Sequence, residues 1–227
     1  MKVLGIAPKF EEITSHSIKW FEKLVDEIKD KVSVVELKEK EAVREKFEET
    51  IRKNDFDIII FYDHGEADRL IGNDRRPVVD KKNIHLLKNK VLYTMACLSA
   101  RELGKEHFKN NGIFWGYDEE FVFTEEEEEL FERCANAGIK YVLQGYTWEE
   151  AYKKTIEEFN KAMKEARLLW TKIWLQHDRD ALRLYSKNSP PREDKSLTRR
   201  IKRKIKKLCQ KLSISSIHFL HSSQVAA

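Results

Sequence analysis

The stretch DIIIFYD, residues 57–63, is apolar on every second residue and on the residues between as well. A strand with one face in water alternates, so a strand without alternation must be covered on both faces. KVLGIA (2–7), VSVVEL (32–37), KVLYTMA (90–96) and GIFWGY (112–117) read the same way. Helical periods lie between them. In TSHSIKWFEKLVDEIKD, Ile18, Phe21, Leu24, Val25 and Ile28 share one side, and EKEAVREKFEETIRKN and ARELGKEHFKNN continue the alternation. Strand–helix repetition of this kind predicts an α/β domain with a mostly parallel sheet and helices on both faces.

Beyond residue 123 the pattern turns helical. Thr124 with Glu127, and Thr147 with Glu150, have the spacing of capping boxes. The second opens what reads as one long helix, from Thr147 to Asp178. The run TEEEEE suits a first helical turn, where carboxylates face the positive end of the dipole. KNSPPREDKS breaks the period and reads as a linker. LTRRIKRKIKKLCQKL then resumes as a basic amphipathic helix with Leu197, Ile201, Ile205, Leu208 and Leu212 on one side. The final SSIHFLHSSQVAA carries no such pattern and is expected to be either disordered or an ornament added to the fold. The chain therefore divides into an α/β domain, 1–186, and a linker with a basic tail, 187–227. From Lys187 onward eleven Lys and Arg face only Glu193 and Asp194, a charge of +9, which leaves −5 on the body. Such a tail suits nucleic acid or an anionic membrane surface, or docking on the acidic body.

Charged residues make up 36% and apolar ones 41%, the balance of a soluble globular chain, and no apolar run approaches the roughly 18 residues of a membrane span. The N-terminus turns polar too quickly for a signal peptide. Three cysteines without regular spacing argue against a disulfide framework and for a reducing, cytoplasmic setting. His16, His85, His107 and His177 lack metal-ligand spacing, and there is no Gly-rich phosphate loop, so neither a metal nor a cofactor is expected.

The chemistry concentrates at two strand ends. In open parallel sheets ligands collect outside the carboxyl ends of the strands. His64 directly follows the third strand and Cys97 the fourth. A thiol at a strand-to-helix turn gains thiolate character from the helix N-terminus, and a nearby imidazole supplies a proton acceptor. Gly65 lets the backbone approach a ligand, so its N–H and that of Cys97 suit an oxyanion. Asp63, on a strand, is expected to point away from His64. EADRLIGNDRRPVVD reads as the loop after the third strand. On spacing alone a packing cysteine and a capping histidine remain the commoner interpretation.

IIIFYDHGE followed by VLYTMACLSA resembles the strand-His-Gly and strand-Ala-Cys signature of the caspase-like cysteine peptidases, the group of caspases, metacaspases, gingipains, separases and CHAT proteins. NNGIFWGYDEEFVF and LQHDRDALRLYSKN are similar to the fifth strand and closing segment of the gingipain and CHAT type. The resemblance covers roughly residues 1–186, though its specific part is two short motifs. It implies a three-layer sandwich of five or six strands in the order 2-1-3-4-5, with ALRLY as the candidate sixth, to which the residues themselves add the long C-terminal helix. It also implies Cys97 as nucleophile, His64 as general base or orienting partner, and the N–H groups of Gly65 and Cys97 as oxyanion hole. Tyr93, Thr94 and Met95 stand where caspases carry Gln and metacaspases an acidic residue before the Ala-Cys pair.

The expected function is that of a cysteine endopeptidase acting on peptides or proteins. Asp118, Glu119 and Glu120 after the fifth strand, with Glu66 and Asp68 after His64, would favour Lys or Arg before the cut. Arg69, Arg75 and Arg76 in the same region oppose that preference. The alternative is a catalytically silent module of the same fold, with the tail as its binding element.

Overall fold

The computed structural model describes residues 1–11, 14–191 and 217–219, the last three through their backbone. Six strands form the main sheet: β1 (Lys2–Ala7), β2 (Ser33–Lys38), β3 (Ile58–Tyr62), β7 (Val91–Met95), β8 (Ile113–Tyr117) and β10 (Leu182–Tyr185). Their spatial order is β2-β1-β3-β7-β8-β10. The first five are mutually parallel, and β10 joins β8 antiparallel, so ALRLY does supply the sixth strand. By rank along the chain this is the order 2-1-3-4-5-6.

The continuous apolar runs have the consequence anticipated for them. Ile58, Ile60 and Tyr62 of β3 enter one core with helices α1 (Thr14–Ile28), α4 (Glu128–Leu143), α5 (Trp148–Glu165) and α6 (Leu169–Ala181). Ile59 and Phe61 enter a second core on the other face, with α2 (Arg44–Lys53) and α3 (Leu103–Lys109). Alternate side chains of one strand thus serve opposite layers, and each fully buried large apolar side chain contributes about 1.5–3 kcal/mol. Packing is close where α4 crosses the sheet: a Cβ at Gly138 would lie 2.6 Å from the Trp115 ring and 2.9 Å from that of Tyr93. Among the described residues no helix is long and apolar enough to cross a membrane.

Four expectations need correction. The segment after β3 is not a plain loop; β4 (Gly65–Glu66), β5 (Arg69–Ile71) and β6 (Pro77–Asp80) form a small antiparallel sheet. The long C-terminal helix is two helices, because the backbone extends at Ala166 and Leu168 between α5 and α6. Glu127 explains that break: its carboxylate accepts the N–H groups of Arg167 (2.9 Å) and Leu168 (3.2 Å) at the start of α6. It is therefore unavailable to Thr124, whose side chain makes no cap, whereas the Thr147–Glu150 box is complete. Finally, Ile217–Phe219 forms a strand, β11, against β9 (Val122–Thr124). The basic amphipathic segment, residues 197–212, lies outside the described residues.

His107 on α3 is fully buried, with Nε2 3.1 Å from the carbonyl oxygen of Lys90. Burial lowers its pKa from 6.5 to about 4. Between those values the unfolded chain takes up a proton that the folded chain refuses. Its stability contribution is therefore complete above pH 6.5 and declines as the pH falls towards 4. Urea unfolding should show wild type losing about 2 kcal/mol more than His107→Gln between pH 7 and pH 5. Equal losses would mean that the imidazole is not shielded.

Candidate active site

The register of β3 and β7 brings the two candidate residues to one level. Tyr62 lies opposite Met95, and the Asp63 N–H donates to the Met95 carbonyl (3.3 Å). Counting on, His64 falls level with Cys97 at the carboxyl edge of neighbouring strands. Cys97 continues the Tyr93–Met95 face into the core shared with α1 and α4. The backbones are also close: a Cβ at Gly65 would lie 2.8 Å from the Cys97 carbonyl oxygen and 2.9 Å from the Ala96 Cβ.

The surroundings of the thiol differ from expectation. Helix α3 begins at Leu103, so a five-residue turn separates Cys97 from its N-terminus, and the helix-dipole argument does not apply directly. The turn opens with Leu98 in the left-handed region (φ 60°). Ser99 steadies it, donating from Oγ to the Ala96 carbonyl (2.9 Å) and sharing a hydrogen bond with Thr94 Oγ1 (3.0 Å). The sulfur instead receives the backbone N–H of Phe121 at 3.3 Å. The thiol in turn points back to the Phe121 carbonyl at 4.0 Å, so one residue of the loop meets the sulfur with both its donor and its acceptor.

Around His64 the loop after β1 supplies what sequence reasoning missed. Glu11 Oε2 is 3.5 Å from His64 Nε2, and the Phe10 ring lies 5.3 Å from the imidazole. Arg75 closes over this group, with Nη2 3.3 Å from Glu11 Oε1 and its guanidinium above Phe10. Asp63 does not point away, because the strand ends one residue before it. Its Oδ1 accepts the backbone N–H of His64 (2.5 Å) and lies 3.8 Å from Nε2. Burial pushes the Asp63 carboxyl well above the usual range, which favours the neutral acid. Glu11 follows the strand adjacent to β3, so the edge rule that located His64 and Cys97 also covers it.

Four of the five carboxylates assigned to substrate, those of Asp118, Glu119, Glu66 and Asp68, are already engaged in ion pairs. Asp118 pairs with Arg183 (2.7 Å) and Glu119 with Arg101 (2.9 Å), while the Arg101 Nε–H also donates to the Asp118 carbonyl (2.6 Å). The Glu120 carbonyl lies 2.8 Å from His177 Nε2. Glu66 and Asp68 both face Arg69, at 3.3 and 2.8 Å. The loop from 118 to 121 is thus held at each residue and brings Phe121 to the sulfur. Asp178 on α6 completes the support, accepting the Val122 N–H at 3.0 Å. Burial keeps its carboxyl well above the usual range, and sequence pattern gave no sign of this contact across 56 residues.

Gly65→Ala should strain the close approach to Cys97, because the obstructing atom is a carbonyl oxygen that side-chain rotation cannot move. The expected cost is about 1–3 kcal/mol in chemical denaturation. The rate at which a thiol probe modifies Cys97 should change with it; an unchanged rate would separate Gly65 from the site. No protein-family model matches the chain, and no curated protein is significantly similar to it.

Proposed function

We propose that the protein is a cysteine peptidase of caspase-like architecture, with Cys97 as nucleophile and His64 as its base. The observation that carries this reading is the β3–β7 register, which sets a histidine and a cysteine level at the carboxyl edge of two central parallel strands. The 2-1-3-4-5-6 strand order supports it, as does the contact of Gly65 with the Cys97 backbone.

In this reading the Cys97 thiol gives its proton to His64 and attacks the peptide carbonyl. The oxyanion is held by the N–H groups of Gly65 and Cys97. His64 protonates the departing amine, and a water activated by the same imidazole hydrolyses the thioester. Glu11, 3.5 Å from Nε2, orients the ring.

A lysine or arginine before the cut would have to replace Arg183 or Arg101 as partner of Asp118 or Glu119. The preference is therefore expected to fall below the roughly tenfold that one unpaired carboxylate would give. A panel of fluorogenic peptides differing at that residue tests this. A preference for Asp would overturn the charge argument without touching the dyad.

One observation favours the silent-module alternative: His64 and Cys97 are both 0% exposed. Iodoacetamide labelling at neutral pH separates the readings. Burial pushes the Cys134 thiol up, so Cys97 should react faster than Cys134. For turnover, Cys97→Ala and His64→Ala should each abolish activity, and the double variant should be no worse than either, because members of one catalytic unit are not additive. Activity that survives Cys97→Ala would end the peptidase assignment.

A further inference from the structure

β9 stands outside the main sheet, and its strand partner among the described residues is β11, from the far end of the chain. The pairing is antiparallel, with Thr124 opposite Ile217, Phe123 opposite His218, and Val122 opposite Phe219. β11 therefore runs from Thr124 towards Val122. The next residue of β9's own chain in that direction is Phe121, whose N–H donates to the Cys97 sulfur. The tail strand is thus aimed along β9 at the thiol. Its position is fixed from the other side as well, because Asp178 and the Thr171 hydroxyl hold Val122 and Thr124 to α6. A short strand outside the main sheet that takes its partner from the far end of the chain has the form of a strand-addition site, where main-chain hydrogen bonds supply affinity for an extended peptide.

We propose that Val122–Thr124 is the docking strand for an extended peptide, and that residues 217–219 fill it in cis as a built-in competitor. This rests on the peptidase reading, with the docked peptide as substrate. Substrate then binds only in the fraction of molecules whose tail strand has left β9, and apparent affinity falls by that fraction.

The test uses the full chain carrying Cys97→Ala, with and without His218→Pro and Phe219→Pro together. Two adjacent prolines remove ladder donors whichever residue faces β9. The probe is a labelled peptide of the sequence SISSIHFLHSS, residues 213–223, followed by fluorescence anisotropy. The double-proline chain should bind it about tenfold more tightly than the parent, the factor expected when roughly nine-tenths of molecules hold the tail in place. A peptide carrying the same two prolines should not bind. Amide exchange at Val122–Thr124 should quicken in the double-proline chain while that of β3 and β7 stays slow, which also shows that the domain remains folded. Equal affinity for both chains, no binding to either, or unchanged exchange at β9 would overturn the proposal. Because the assay needs no turnover, peptide binding without cleavage of any peptide by the Cys97-containing chain would remove the peptidase reading alone.

Discussion

The pairing of β3 with β7 is the constraint on which the rest of the molecule depends. Five residue pairs, from Ile58–Val91 to Tyr62–Met95, fix the register of two strands buried on both faces. Parallel strands have period two in their side chains, so a slip of one residue would invert which face each side chain serves. A slip of β3 would exchange Ile60 with Phe61 between the cores, and a slip of β7 would exchange Tyr93 with Leu92, so either one would disrupt both cores. The energy that holds this register is the packing of the whole domain. The geometry at its carboxyl end follows from it without any interaction between His64 and Cys97 having to enforce it. A candidate site placed this way is pre-organised by the core rather than by its own contacts.

Around that fixed pair, the structure recruits three distant segments. The loop after β1 brings Glu11 to the imidazole, the loop after β8 brings the Phe121 N–H to the sulfur, and α6 holds the start of β9 through Asp178. Glu127 fixes where α6 begins, so the break between α5 and α6 and the placement of Asp178 are parts of one arrangement. The two buried acids show how different environments give like groups different tasks. Asp63 and Asp178 each accept one backbone N–H and are pushed towards the neutral form by burial, while the half-exposed Glu11 sits between an imidazole and a guanidinium.

Much of this frame was legible in the residues. Uninterrupted apolar runs announced the central strands, and the rule that ligands gather at carboxyl edges singled out His64 and Cys97. What escaped was set by contacts between segments far apart in sequence. No Gly or Pro marks the turn at Ala166–Leu168; a carboxylate 40 residues upstream stops the helix there. The Thr124 spacing matched a capping box, but Glu127 found a stronger demand in the bare N–H groups of α6. The three short strands after Gly65 alternate too briefly to stand out. The arginine partners of Asp118 and Glu119 come from β10 and from the turn after Cys97, so no local window could reveal that those acids were neutralised.

The two borders of the main sheet carry a further consequence. Parallel sheets in this class are covered above and below, but their outermost strands still expose a row of backbone donors and acceptors. On β2 the outer residues include Glu36 and Lys38, and Lys38 is tied to both Glu36 and Glu22. At the opposite border β10 is only four residues long, and the chain folds back immediately through the Ser186–Ser189 bridge. A second molecule that tried to extend the sheet would meet charge on one side and too few partners on the other. Both borders thus carry features that work against the addition of a further strand, a counterweight to the dense apolar content of the inner strands.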